Sequence, residues 1–206
     1  MGAKSNSFAT FLIVCPTCFF LGILFSSFPY DYNVLWHVPQ PPDSREVYFN
    51  LLENHLKFLH ASPPIISRIL HIVIGTGLLG FITKLYKPSE ANMLFDGASL
   101  VLYMCGVIVY ITNIVKGLRI VTAGTYGPGD VAESDGAGSE DPEYIGREDS
   151  LRVLAASNTI LALVLVGILV LQAGQWYAQR KEDAEIAEMD RAAEEKKKGK
   201  ESKKRQ

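Results

Sequence analysis

The sequence predicts an all-α membrane protein: four transmembrane helices followed by a charged, helical cytosolic tail. Three observations carry that expectation. Four segments are long and apolar enough to cross a hydrocarbon core of about 30 Å, which takes about 20 residues at a helical rise of about 1.5 Å each. The charged residues, 20% of the 206, are gathered into connections and tail and leave long stretches almost free of charge. Beyond the last apolar segment, acids and bases alternate at helical spacing.

The first seven residues form a short cytosolic N-terminus, and residues 8–28 form the first span, with no charged residue from Phe8 to Phe28. Its apolar run exceeds a signal-peptide core and no A-x-A site follows, so it is expected to be retained. Met1-Gly2 lacks the Ser or Thr at position 6 that myristoylation needs. Residues 29–64 are expected to be a lumenal loop that opens on Pro29-Tyr30-Asp31-Tyr32 and then Trp36. Such aromatic residues suit the headgroup level. Within that loop Val47, Leu51, Leu52, His55, Phe58 and Leu59 have helical spacing and predict an amphipathic helix lying on the membrane. The second span, 65–83, carries Arg68 and His71; Arg68 lies near one end, where a long side chain reaches back to the interface. A short turn around Tyr86-Lys87-Pro88 makes a hairpin with the third span, 94–115, whose one charge, Asp96, is expected at the headgroups. The connection 116–152 is rich in glycine and acids and is expected to build no core. The fourth span, 153–173, is free of charge. The membrane domain thus covers 8–178, and the tail, 179–206, is expected to continue the last helix.

Orientation follows from Lys and Arg. Lys4, Lys84, Lys87 and the ten basic residues from Arg180 onward fall on one side, against Arg45, Lys57, Lys116, Arg119, Arg147 and Arg152 on the other. The richer side is cytosolic, so both termini are expected there.

Two motifs fail on context. Gly75-Thr76-Gly77-Leu78-Leu79-Gly80 has dinucleotide-fingerprint spacing, but Pro88 ends any following helix and no second strand is present. Small residues there, like Gly22 and Ser26 in the first span, instead predict close helix packing. Cys15-Pro16-Thr17-Cys18 has the C-x-x-C spacing of a redox motif but lies inside a span, where ordinary helix packing is expected of it. No phosphate loop, nucleophile elbow or zinc spacing occurs. The chain is therefore expected to be no enzyme, to use no cofactor or metal, and to have no nucleic-acid partner. Asn113, Ser157, Asn158 and Thr159 predict interhelical hydrogen bonds, within the bundle or to a client. Arg68 and His71, one turn apart, support the alternative of a small four-span channel or transporter.

The tail ends Lys203-Lys204-Arg205-Gln206, which places Lys203 and Lys204 where a dilysine retrieval signal for the endoplasmic reticulum has its lysines. Leu21-Gly22 through Phe28-Pro29-Tyr30-Asp31-Tyr32, Leu59-His60, Tyr86-Lys87-Pro88, Thr112-Asn113, Ala156-Ser157 and Leu171-Gln172 through Trp176-Tyr177 together resemble the fungal Shr-type membrane chaperones of amino-acid permeases. The resemblance covers about residues 8–178 and leaves out the acidic connection and the tail. It implies a resident of the endoplasmic-reticulum membrane that shields newly inserted polytopic permeases from aggregation and promotes their export in coated vesicles, with a tail near the vesicle coat. Pro29, Tyr30, Asp31, Tyr32, Asn113, Ser157 and Asn158 are the candidate client contacts.

Overall fold

A computed structural model describes the backbone of residues 2–36, 43–86, 90–126 and 146–204. The side chains of residues 2–7, 43–44, 90–92 and 197–204 lie outside this description. Among the described residues every element is a helix: α1 (Gly2–Leu35), α2 (Asp43–His60), α3 (Pro64–Leu85), α4 (Glu90–Val109), a π-helical turn (Tyr110–Val115), α5 (Lys116–Ala123) and α6 (Arg147–Lys204). Among the described residues four stretches are long and apolar enough to cross a membrane: Phe8–Leu35, Pro64–Leu85, Met93–Ala123 and Arg147–Lys196. The predicted fold class therefore holds.

Helix lengths differ from the sequence expectation in an informative way. α1 does not stop at Phe28 but carries Pro29-Tyr30-Asp31-Tyr32 in helical form to Leu35. Its internal prolines, Pro16 and Pro29, each lack the N–H that would bond the carbonyl four residues back, those of Leu12 and Phe25. Beside Pro16 the Thr17 hydroxyl donates to the Ile13 carbonyl at 2.7 Å, and beyond Pro29 the Asn33 amide donates to the Pro29 carbonyl at 2.8 Å. The third connection is likewise shorter than expected. α5 continues from the third span until Gly124 ends it in the left-handed conformation (φ 61°), and α6 already begins at Arg147. Residues 127–145, the heart of the expected acidic connection, lie outside the described residues.

In the bundle α6 packs between α1 and α4, and α3 closes the ring by touching both α1 and α4. Ile13, Phe20, Phe81, Tyr103, Leu161, Leu165 and Ile168 form its core. Two glycines of the rejected fingerprint set how closely the helices approach. A Cβ on Gly77 would meet the Tyr103 ring, and one on Gly80 would lie 2.9 Å from both Leu12 and Ile13 of α1. The close-packing expectation fails for Gly22 and Gly75, which face open space. Cys15, Cys18 and Cys105 are free and exposed on the outer surface, among apolar side chains such as Phe11, Phe25, Val101 and Leu163.

A second core lies at the other end of α1. Phe49, Leu52 and Leu56 of α2 pack on Val121 of α5 and on Leu151, Leu154 and Ala155 of α6, with Tyr30, Val34 and Leu35 at their edge. α2 thus turns Phe49, Leu52 and Leu56 to the protein; of the residues whose spacing predicted the helix, Leu52 is buried there and Leu59 is exposed. Val47, Leu51 and Phe58 remain exposed on its opposite side.

Candidate functional site

The last three turns of α1 divide by helical phase. Phe28, Pro29, Tyr32 and Trp36 point outward, and the rings of Phe28, Tyr32 and Trp36 lie 5.9–6.1 Å from one another, a continuous aromatic face. Tyr30 and Asp31 point inward. The Tyr30 ring stacks on His55 of α2, centroids 4.0 Å apart and planes 6° from parallel. Asp31, 2% exposed, accepts a 3.0 Å hydrogen bond from the Asn158 amide of α6.

Next to it, Asn113 in the π-helical turn donates to the Ser157 hydroxyl at 3.0 Å, and Ser157 donates to the Val153 carbonyl at 2.7 Å. Of the seven candidate client contacts, Asp31, Asn113, Ser157 and Asn158 are therefore bonded to one another in two pairs that tie α1 and the π-helical turn to α6. Pro29 and Tyr32 remain outward. The interhelical hydrogen bonds predicted for Asn113, Ser157 and Asn158 are made within the bundle, whereas the Thr159 hydroxyl donates to the Ala155 carbonyl of its own helix at 3.2 Å.

Above these pairs α2 is clamped by charge. Arg147, at the start of α6, donates to Glu53 at 2.7 Å and to Glu46 at 2.9 Å, and also bonds Asn50. Lys57 pairs with Glu53 at 2.6 Å, and Arg45 with Glu148 at 2.9 Å. Burial works against ionisation of Glu53, but hydrogen bonds from Lys57 and Arg147 outweigh it and hold the carboxyl below its ordinary range. Burial pushes the His55 imidazole down, and its buried Nε2 lacks a hydrogen-bond partner.

The opposite end of the bundle holds a cluster that the sequence reading did not assemble. Lys84 of α3 is buried, and its ammonium donates to Asp96 of α4 at 3.0 Å, to Gln172 of α6 at 2.7 Å and to Gln175 of α6 at 2.6 Å. The glutamine amides complete the network, Gln172 donating to Ser99 at 3.1 Å and Gln175 to the second Asp96 oxygen at 2.8 Å. All three ammonium protons and both carboxylate oxygens have partners, which is what makes a buried ion pair tolerable. Asp96 is 4% exposed, paired inside the protein where the sequence placed it at the headgroups, and Lys84 belongs to the bundle where the sequence counted it in the connection. A signal was present: two opposite charges flank a tight helical hairpin, and two glutamines three residues apart share one face of α6.

Arg68 and His71 are exposed on the outside of α3, where His71 meets the Tyr110 ring edge to face at 6.1 Å. They do not line the interior of the bundle. Lys203 and Lys204 fall in the last turn of α6, while their side chains, and residues 205–206 altogether, lie outside the described residues. Among the described residues no group of three or more His, Cys, Asp or Glu could hold a metal ion.

Comparison with known proteins places this architecture. Residues 4–206 match the SHR3 chaperone family, described as ER membrane protein SH3. The match takes in the tail that the resemblance had left out. A curated relative, the secretory component protein psh3 of Schizosaccharomyces pombe, is 24% identical over 183 residues, which cover 87% of this chain and 75% of the relative. No solved structure matches. A family match over nearly the whole length, on a four-span helical bundle, makes this chain a member of the Shr3-type family of endoplasmic-reticulum membrane chaperones.

Proposed function

We propose that this chaperone serves newly inserted amino-acid permeases, shields their helices from aggregation and promotes their packaging into export vesicles. The observation that carries the reading is the aromatic face of Phe28, Tyr32 and Trp36 beside Pro29, held outward at the end of α1 while its polar neighbours are engaged inside. Large flat rings at the edge of a bilayer offer an apolar body and a polar rim to an incompletely packed helix. Asp31, Asn158, Asn113 and Ser157 act on clients indirectly, by fixing the pose of that face. Both termini lie in the cytosol, as the Lys and Arg bias supports, and the tail meets vesicle-coat components there. Lys203 and Lys204 serve as a retrieval signal.

The test is delivery of a tagged amino-acid permease to the plasma membrane, beside an unrelated exported protein, in fungal cells with and without this chain. Selective retention of the permease in the endoplasmic reticulum is expected on deletion, and normal delivery of both cargoes overturns the proposal. The surface is tested by Tyr32→Ala with Trp36→Ala. The variant is expected to accumulate normally and lose permease delivery; full delivery moves the client surface elsewhere. Replacing Lys203 and Lys204 with Ser should let the chaperone leak beyond the endoplasmic reticulum, read by microscopy.

A further inference from the structure

α6 is held at two heights by polar contacts that differ in kind. At the upper one, Asn158 and Ser157 bond to α1 and to the π-helical turn. At the lower one, Gln172 and Gln175 bond to Lys84, Ser99 and Asp96 of the α3–α4 hairpin. Side-chain carboxamides in a fixed hydrogen-bond pattern set the rotation of a helix about its own axis, which apolar packing against lipid-like neighbours leaves soft. The lower contact ends at Gln175, immediately before Trp176 and Tyr177, where the apolar stretch gives way to the exposed tail and Arg180 sits 5.2 Å over the Trp176 ring.

Beyond it the helix runs unbroken to Lys204. At about 1.5 Å per residue the stretch after Gln175 is about 44 Å long, so a tilt of roughly 10° at its base moves the tip by roughly 8 Å. The tail is exposed throughout residues 180–196. Its direction is therefore set at its base.

We propose that the Lys84–Asp96–Gln172–Gln175 network is the orienting joint of the tail. The α3–α4 hairpin grips α6 through these carboxamides, so any shift of the hairpin against α6 re-aims the whole tail. Lys84 suits the task because one ammonium reaches from α3 to partners on both α4 and α6. Asp96 keeps its charge balanced when the glutamines let go. The joint gives the family's membrane domain a mechanical route to its tail, independent of which protein is the client.

The experiment uses the full chain in lipid nanodiscs, with Cys15, Cys18 and Cys105 replaced by Ala. Spin labels are placed at the exposed positions Tyr86 and Met189 and their separation is read by pulsed electron paramagnetic resonance. A second label pair, at Val101 and Leu163, reports on the bundle itself. The variant Gln172→Leu with Gln175→Leu removes the α6 half of the joint and leaves the Lys84–Asp96 pair intact. The expected result is a Tyr86–Met189 distribution at least twofold broader than the parent's, with the Val101–Leu163 distribution unchanged. An unchanged Tyr86–Met189 distribution overturns the proposal. Equal broadening of both pairs also overturns it, since the network would then hold the bundle together without aiming the tail.

Discussion

Single residues set the limits of this bundle through charge and volume. Lys84 and Asp96 are buried but mutually satisfied, so removing one partner strands the other in an apolar interior. Lys84→Met is expected to destabilise the protein by about 3–5 kcal/mol, read as a lowered unfolding midpoint in mild detergent. Adding Asp96→Leu should restore much of the loss; a double variant no better than the single would mean that the charge left behind is not the source. Gly80 makes the complementary argument in volume. A larger side chain there must push α1 away from α3, because Ile13, Leu12 and the Ala9 carbonyl already crowd the Cβ position. Gly80→Val is expected to cost about 1–3 kcal/mol by overpacking, while Gly75→Val, facing open space, should leave the unfolding midpoint unchanged. The sequence marked both glycines alike, since a pattern of small residues does not say which side of a helix meets a neighbour.

At the scale of elements, the docking of α2 responds to pH. Its two perturbed groups both have pKa values lowered on folding, so the unfolded segment binds more protons and docking weakens as pH falls. The His55 contribution is complete above its unfolded value of about 6.5 and is lost as pH drops from there through the lowered folded value. The Glu53 contribution is complete above about 4.5 and is lost below it, as the carboxyl loses its pairing with Lys57 and Arg147. Hydrogen exchange of α2 is expected to accelerate in two stages on acidification, relative to α3 in the same sample. His55→Phe keeps a ring on Tyr30 without a titrating group and should abolish the first stage. Amphipathic spacing foretold the helix itself. Its choice of surface depended on α5 and on the early start of α6, neither of which the glycine-rich, acidic composition around them disclosed.

The whole molecule is a ring of four spanning helices with a small cap of α2, α5 and the ends of α1 and α6 at one side and a long helical tail at the other. With an even number of spans the two ends share one side of the membrane. Tags at both termini of the intact protein are expected to be equally accessible to protease added outside sealed microsomes, and protection of only one would contradict four spans. The amino-acid sequence by itself determined the spanning helices, the continuation of the last into a tail, and the resemblance to permease chaperones. Each of these rests on local properties: runs of apolar residues, helical charge spacing and short motifs. Only the tertiary structure decided what the polar residues do. Lys84, Asp96 and Gln172 are 12 and 76 residues apart in the chain, and Asp31 and Asn158 are 127 apart. Whether such residues face lipid, a client or each other depends on how the helices are rotated in the ring. That rotation is a property of the packed bundle, set by glycine contacts and buried hydrogen bonds between helices distant in the chain.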